Sequence, residues 1–177
     1  MNKPSKTINI ALDTYDDLFS DFDISTFKNR AISLDFKENL ESQVLDNYDC
    51  NLKINFSLPK NKRKKTDESI IETRLKQFFI FKQITYSKRI NYRRLKGLRF
   101  IAMGLVFVTL TFFFETFFTD LLPLYLANII MIFGWFGIWT GIEKVVDIPQ
   151  ELTNKKQMYT CFSNSKIDFI NEEEIKN

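Results

Sequence analysis

Two uninterrupted apolar runs limit what this chain can fold into. Phe100 to Phe118 is a 19-residue stretch whose only charge is Glu115, and Leu121 to Ile142 is a 22-residue stretch with none. At about 1.5 Å of helical rise per residue, runs of this length reach the roughly 30 Å of a bilayer's hydrocarbon core. A soluble helix keeps a polar stripe for water, whereas Phe100 to Phe114 offers only Thr109 and Thr111 on any face. The sequence therefore predicts a two-helix transmembrane hairpin over residues 100–142, with spans 100–118 and 121–142 joined by Thr119 and Asp120. So short a link makes the spans antiparallel neighbours and puts both flanks on one side. The mean hydropathy of -0.18 hides the hairpin only because polar flanks dilute it.

Charge selects the side. Residues 60–99 carry 14 Lys and Arg against 3 Asp and Glu, a net +11 beside a net −4 over residues 1–59. Lys88, Arg89, Arg93, Arg94, Lys96 and Arg99 form a basic juxtamembrane cluster, and the far turn has no cation. The positive-inside rule then predicts a multi-pass integral membrane protein with both termini cytoplasmic. Met1 to Asp17 has no sustained apolar core, so the first span is itself expected to direct insertion. Glu115, five residues before the turn, reads as interfacial in preference to a proton or ion relay. Trp139 is placed to join an interfacial aromatic belt.

The chain has five glycines, Gly97, Gly104, Gly134, Gly137 and Gly141, all in or beside the hairpin. In an antiparallel hairpin Gly97 lies level with Gly141, and Gly104 with Gly134. Small residues let membrane helices approach closely, so these four are the expected packing seam. Gly137 and Gly141, at GxxxG spacing, offer a competing face for self-association and hence a homo-oligomer.

The flanks read as α+β. Ile8, Ile10 and Leu12, then Leu52, Ile54, Phe56 and Leu58, then Ile167 and Phe169 alternate with polar residues, as half-buried strands do. Helices are expected at about Asp35–Asn47, from a Thr66 cap onward, and at Glu151–Phe162 after Pro149. With no proline between Thr66 and the first span, one long helix can run into the membrane. A two-stranded sheet is marginal alone, so the last strand is expected to return and complete it. The expected fold is a small three-stranded sheet with helices, interrupted by the transmembrane hairpin. Its parts are residues 1–99 (α+β with the juxtamembrane basic helix), 100–142 (hairpin) and 143–177 (helix and closing strand), with a polar tail from Asn171.

Chemistry is sparse. Without histidine there is no Ser-His or Cys-His nucleophile pair and no histidine-ligated zinc. Cys50 and Cys161 suit burial as small hydrophobes in a reducing cytoplasm, in preference to a redox pair. Asp13, Asp16, Asp17, Asp21 and Asp23 lack the glycine and distal glutamate of an EF-hand and read as turn and cap residues. The run Lys60, Lys62, Arg63, Lys64 and Lys65 has no interleaved aromatics, so it reads as a solvated loop and disfavours a nucleic-acid partner. No glycine-rich phosphate loop occurs. The expectation is no enzyme, no cofactor and no metal site.

The segment Leu18-Phe19-Ser20-Asp21-Phe22-Asp23, followed by Phe27, Arg30, Ser33 and Asp35, resembles the N-terminal signature of a bacterial family of small membrane proteins. Its members share the order of motif, strand, basic helix, two spans and short tail, and have no established activity to carry over. The resemblance implies a bacterial inner membrane. Physically, Phe19, Phe22 and Phe27 can tuck this segment onto the sheet and Arg30 can pair with Asp21 or Asp23; the same four residues are the candidate recognition surface. The leading functional expectation is a membrane-anchored interaction or regulatory module whose partners are the lipid bilayer and an unidentified cytosolic protein. The alternative is an oligomeric pore or membrane-perturbing effector gated by the cytosolic domain.

Overall fold

A computed structural model of the chain describes residues 6–44, 50–117 and 124–172. The fold is α+β, in two compact units: residues 1–85 with 154–177, and residues 86–153. In order come β1 (Lys6–Ala11), a 3-10 turn (Tyr15–Leu18), α1 (Leu34–Ser42), β2 (Leu52–Leu58), a second 3-10 turn (Lys60–Lys62), α2 (Lys65–Phe117), α3 (Leu124–Val146), α4 (Gln150–Asn164) and β3 (Lys166–Asn171).

The first unit is built on a three-stranded sheet of order β1-β2-β3 with both pairings parallel. Ile8, Ile54 and Ile167 stand in one cross-strand row, and Ile10, Phe56 and Phe169 in the next. Parallel neighbours need a crossover. Between β1 and β2 it contains α1; between β2 and β3 it contains α2, α3 and α4, so the closing strand comes from the far end of the chain. β2 departs from the half-buried alternation expected of it. Asn55 and Ser57, on its alternate face, are buried as well, as befits the middle strand of a parallel sheet, which tends to be covered on both sides. The Asn55 amide donates to Asn9 Oδ1 at 2.9 Å.

Helix boundaries follow local hydrogen bonding. Ser33 Oγ accepts from the Phe36 amide at 3.5 Å and caps α1, which ends at Ser42, short of the expected Asn47; Leu45 and Asn47 lie outside the described residues. Thr66 does not cap α2. The Lys64 carbonyl accepts the Asp67 and Glu68 amides at 3.1 and 3.0 Å, so the helix starts at Lys65 in the basic run, two residues earlier than a Thr66 cap would set it, with both acids favourably in its first turn. Pro149 precedes α4 directly, its carbonyl accepting the Leu152 amide at 3.0 Å.

Aromatic rings fill the core of this unit. Phe56 lies 5.9 Å from Phe36 of α1 and 5.4 Å from Phe169 of β3, ring centre to ring centre. Phe79 of α2 packs 5.3 Å from Phe162 of α4, and Ile71, Leu75 and Tyr159 are inaccessible. Cys50 and Cys161 are joined in a disulfide with Cα atoms 4.4 Å apart, which corrects the reading of two separate buried thiols. Cys161 is buried and Cys50 exposed. The pairing arises because β3 returns beside β2 and carries α4, its immediate predecessor, to the head of that strand.

The second unit contains the rest of α2 and all of α3, each long and apolar enough to cross a membrane. Most of their large apolar side chains point outward, Phe112, Phe136 and Trp139 being two thirds or more exposed. Thr119 and Asp120, the expected link, lie outside the described residues.

Candidate interaction surfaces

The segment between the first 3-10 turn and α1 is irregular but heavily braced. The Ser20 amide donates to the Ala31 carbonyl at 2.8 Å, and a single bridge joins Phe19 to Ile32. Asp23 accepts the Ser25 amide at 3.0 Å and the Ala31 amide at 2.7 Å. The Ser25 hydroxyl first, then those two amides and the Arg30 charge nearby, hold its carboxyl down to about 2.

Within this frame the four expected surface residues separate. Phe19 is 2% exposed and stacks on Phe27 at 5.3 Å, with the Arg30 guanidinium 5.8 Å above its ring. Phe19 therefore belongs to the core and not to a recognition surface. Arg30 pairs with Asp16, in place of the expected Asp21 or Asp23, and donates to the Ser20 carbonyl at 3.2 Å. Phe22 alone stands clear, 100% exposed, and next but one to it Ile24 is 101% exposed. Ile24 was not singled out by its sequence, because an isolated isoleucine in a polar stretch carries no periodic signal.

Asp17 of the same cluster serves local structure. It accepts the Asp13 and Thr14 amides at 2.7 and 3.0 Å, heading the 3-10 turn. Among the described residues no group of three His, Cys, Asp or Glu side chains could hold a metal ion. A depression of about 410 Å³ beside β1 is lined by Asn9, Asp17, Asp35, Asn39 and Gln43 together with apolar Ile10, Leu12 and Phe36.

One residue of the basic run is no solvated loop cation. Arg63 grips Glu68 through Nε at 2.8 Å and Nη2 at 3.2 Å, and donates to Asn171 Oδ1 and to the Phe169 carbonyl, each at 2.8 Å. Tyr15 completes the knot, donating to Glu68 at 3.1 Å and accepting the Lys64 amide at 3.0 Å. Burial pushes the Tyr15 phenol up, the Lys64 amide opposing it and Glu68 adding to it. Asn171 is thus tied into β3 and does not begin a frayed tail. At the middle of that strand, burial pushes the Asp168 carboxyl up, but Lys53 and Lys166 at 3.0 and 3.1 Å outweigh it and leave it below the usual range.

In the second unit, Gly97 and Gly141 face each other across the two helices, as do Gly104 and Gly134. A methyl group built on Gly104 would lie 2.5 Å from the Gly134 carbonyl oxygen; one on Gly141 would lie 2.6 Å from that of Gly97. Gly137 is looser, with Gly104 Cα at 3.3 Å and the Phe100 oxygen at 3.5 Å. Of the six juxtamembrane cations, Arg89, Arg93 and Lys96 line a cleft with the end of α3, Arg99 lines the hollow next to it, and Lys88 and Arg94 line neither. The chain matches no protein-family model, no curated protein and no solved structure.

Proposed function

We propose that this chain is an integral membrane protein that holds its α+β unit at the inner face of a bacterial membrane and docks a cytosolic protein there, with no catalytic step of its own. The membrane part rests on exposure. A core helix of a soluble protein buries its apolar residues, whereas α2 beyond Phe100 and α3 turn theirs outward, which in water would be a patch far larger than soluble proteins carry. The orientation rests on the six juxtamembrane cations. On that orientation the Cys50–Cys161 bond faces a compartment that reduces thiols, so the dithiol is the resting state and the disulfide the oxidised one.

Docking rests on Phe22 and Ile24, two fully exposed apolar side chains on a segment braced by Asp23, Arg30 and Ser20. A braced loop presents such groups without a large ordering cost on binding, which is how few residues come to dominate an interface. The threonine hydroxyls of α2 favour this reading over a lined pore: Thr109 donates back to the Leu105 carbonyl and Thr111 to that of Phe107. A photocrosslinker substituted at Phe22 in cells should capture one specific protein, and Ile24→Ala should abolish capture without changing membrane extraction. Capture of lipid alone, or equal capture with Ile24→Ala, would overturn the docking surface.

A further inference from the structure

We propose that the second unit binds an anionic glycerophospholipid, its headgroup in the basic cleft and one acyl chain along a groove on α2; the site rests on the reading of α2 and α3 as membrane-crossing helices. The cleft measures about 580 Å³ and is lined by Arg89, Arg93 and Lys96 of α2, by Glu143 and Lys144 of α3, and by Asp147 just beyond it. Four cations against two carboxylates leave it net positive. Among the described residues neither Glu143 nor Asp147 is in an ion pair within 4 Å of these cations, and Arg89 and Lys144 instead lie over the Tyr86 and Phe100 rings, each at 5.6 Å, so no cation of the cleft is neutralised by direct contact. A headgroup phosphate supplies the counter-ion. Basic pockets between membrane helices on the cytoplasmic side are suited to such headgroups.

The cleft does not stand alone. Tyr92 and Lys96 also line an adjoining hollow of about 290 Å³, which continues to Phe100 and Met103. Those two in turn line a third hollow of about 290 Å³ with Phe107, Phe133, Phe136 and Gly137, walled almost entirely by apolar groups. Tyr92, Lys96, Phe100, Met103 and Phe107 are spaced by four, four, three and four residues, which is one face of a helix. The charged end and the apolar end therefore lie along a single line, in the order in which a phospholipid carries phosphate and chain.

The test compares two charge-matched pairs in the full chain, in nanodiscs of phosphatidylcholine doped with labelled phosphatidylglycerol. Arg93→Gln with Lys96→Gln removes two cleft cations; Lys88→Gln with Arg94→Gln removes two exposed cations of the same stretch that line no part of it. At about fivefold per lost cation, the first pair should weaken phosphatidylglycerol binding roughly 25-fold. The second should leave it within about twofold, since a site, unlike a diffuse field, depends on which charges are removed. Equal losses for both pairs would mean general surface attraction and overturn the site, as would no loss for either. Displacement of the lipid by millimolar glycerol phosphate would also overturn it, because the acyl groove would then contribute nothing. Alkaline carbonate extraction separates the two readings: release of the chain sinks the membrane assignment, whereas a retained chain with unselective lipid binding sinks only the site.

Discussion

Alanine substitution along the glycine seam tests the packing of α2 on α3 with an internal control. A Cβ at position 104 would sit 2.5 Å from the Gly134 oxygen and 2.7 Å from the Ile138 nitrogen, both backbone atoms of α3. Carbon contacts are comfortable at about 3.5–4.0 Å, so the helices would have to part by roughly 1 Å, a gap that forfeits a quarter to a half of the attraction between the atoms lining it. Gly141→Ala meets Ile101 N at 2.7 Å and the Gly97 oxygen at 2.6 Å, with the same consequence. Gly137→Ala meets nothing nearer than Gly104 Cα at 3.3 Å, which a shift of a few tenths of an ångström relieves. Every one of these changes gains about 1 kcal/mol in helix propensity. That gain cancels between variants and leaves the overpacking cost of about 1–3 kcal/mol as the difference. The full chain in mixed micelles should therefore unfold at a lower fraction of denaturing detergent for Gly104→Ala and Gly141→Ala than for Gly137→Ala, followed by the fluorescence of Trp135 and Trp139. If Gly137→Ala costs as much as Gly104→Ala, or if both are neutral, the seam is not where the two helices meet.

Three further outcomes follow from the first unit. Arg63→Ala strands Glu68, whose side chain is only 12% exposed, and should cost about 3 kcal/mol in thermal unfolding of the detergent-solubilised chain. Arg63→Lys should recover less than half of it, since an ammonium cannot reproduce the guanidinium fork. Asp23 is held to about 2 in the fold, so its contribution is fully present above its ordinary value near 3.8 and is lost as pH falls through about 2; the protection of the Ser25 and Ala31 amides, relative to their intrinsic exchange rates, should fall over that window, and Asp23→Ala should lack that protection at every pH. Cys50→Ser should lower stability by about 2–4 kcal/mol under oxidising conditions and by far less in excess reductant. On the proposed orientation, thiol alkylation in intact cells should find both cysteines reduced, and a bond found oxidised in growing cells would overturn that orientation.

Elements with a dense local signal were legible, and those set by distant neighbours were not. Seven residues of alternation made β2 readable from Leu52 to Leu58, but its second buried face depends on being the middle strand, and nothing in Leu52–Leu58 states its rank in a sheet. The strand direction was equally silent, because alternation is the same in a parallel and an antiparallel ladder. α2 could be read to its full length because no proline interrupts it. Its start was missed by two residues, since lysine gives no capping signal and Thr66 gives a false one. The disulfide joins residues 111 apart, so its cysteines could be related only after the return of β3 was granted.

Charge was the least legible property, because the same side chains act over different distances. The six cations beside the apolar part of α2 enter the proposed orientation only as a sum, since a membrane potential acts on every charge near its surface. Arg63 is misread by any sum: inside a run of five cations it is the one whose guanidinium is taken by Glu68, Asn171 and the Phe169 carbonyl, and its role is bond geometry, not charge. The aspartates of residues 13–23 counted as a cluster, yet Asp16, Asp17 and Asp23 are each tied to a different local amide or cation, which is why their proximity in sequence brings no common site. The cleft at the end of α3 is the intermediate case. Arg89, Arg93 and Lys96 are spaced by four and three residues, so their shared helix face was implicit in the sequence. What makes a cavity of that face is the glycine seam, since only backbones that pass as closely as Gly97 and Gly141 do bring Lys144 to the same wall.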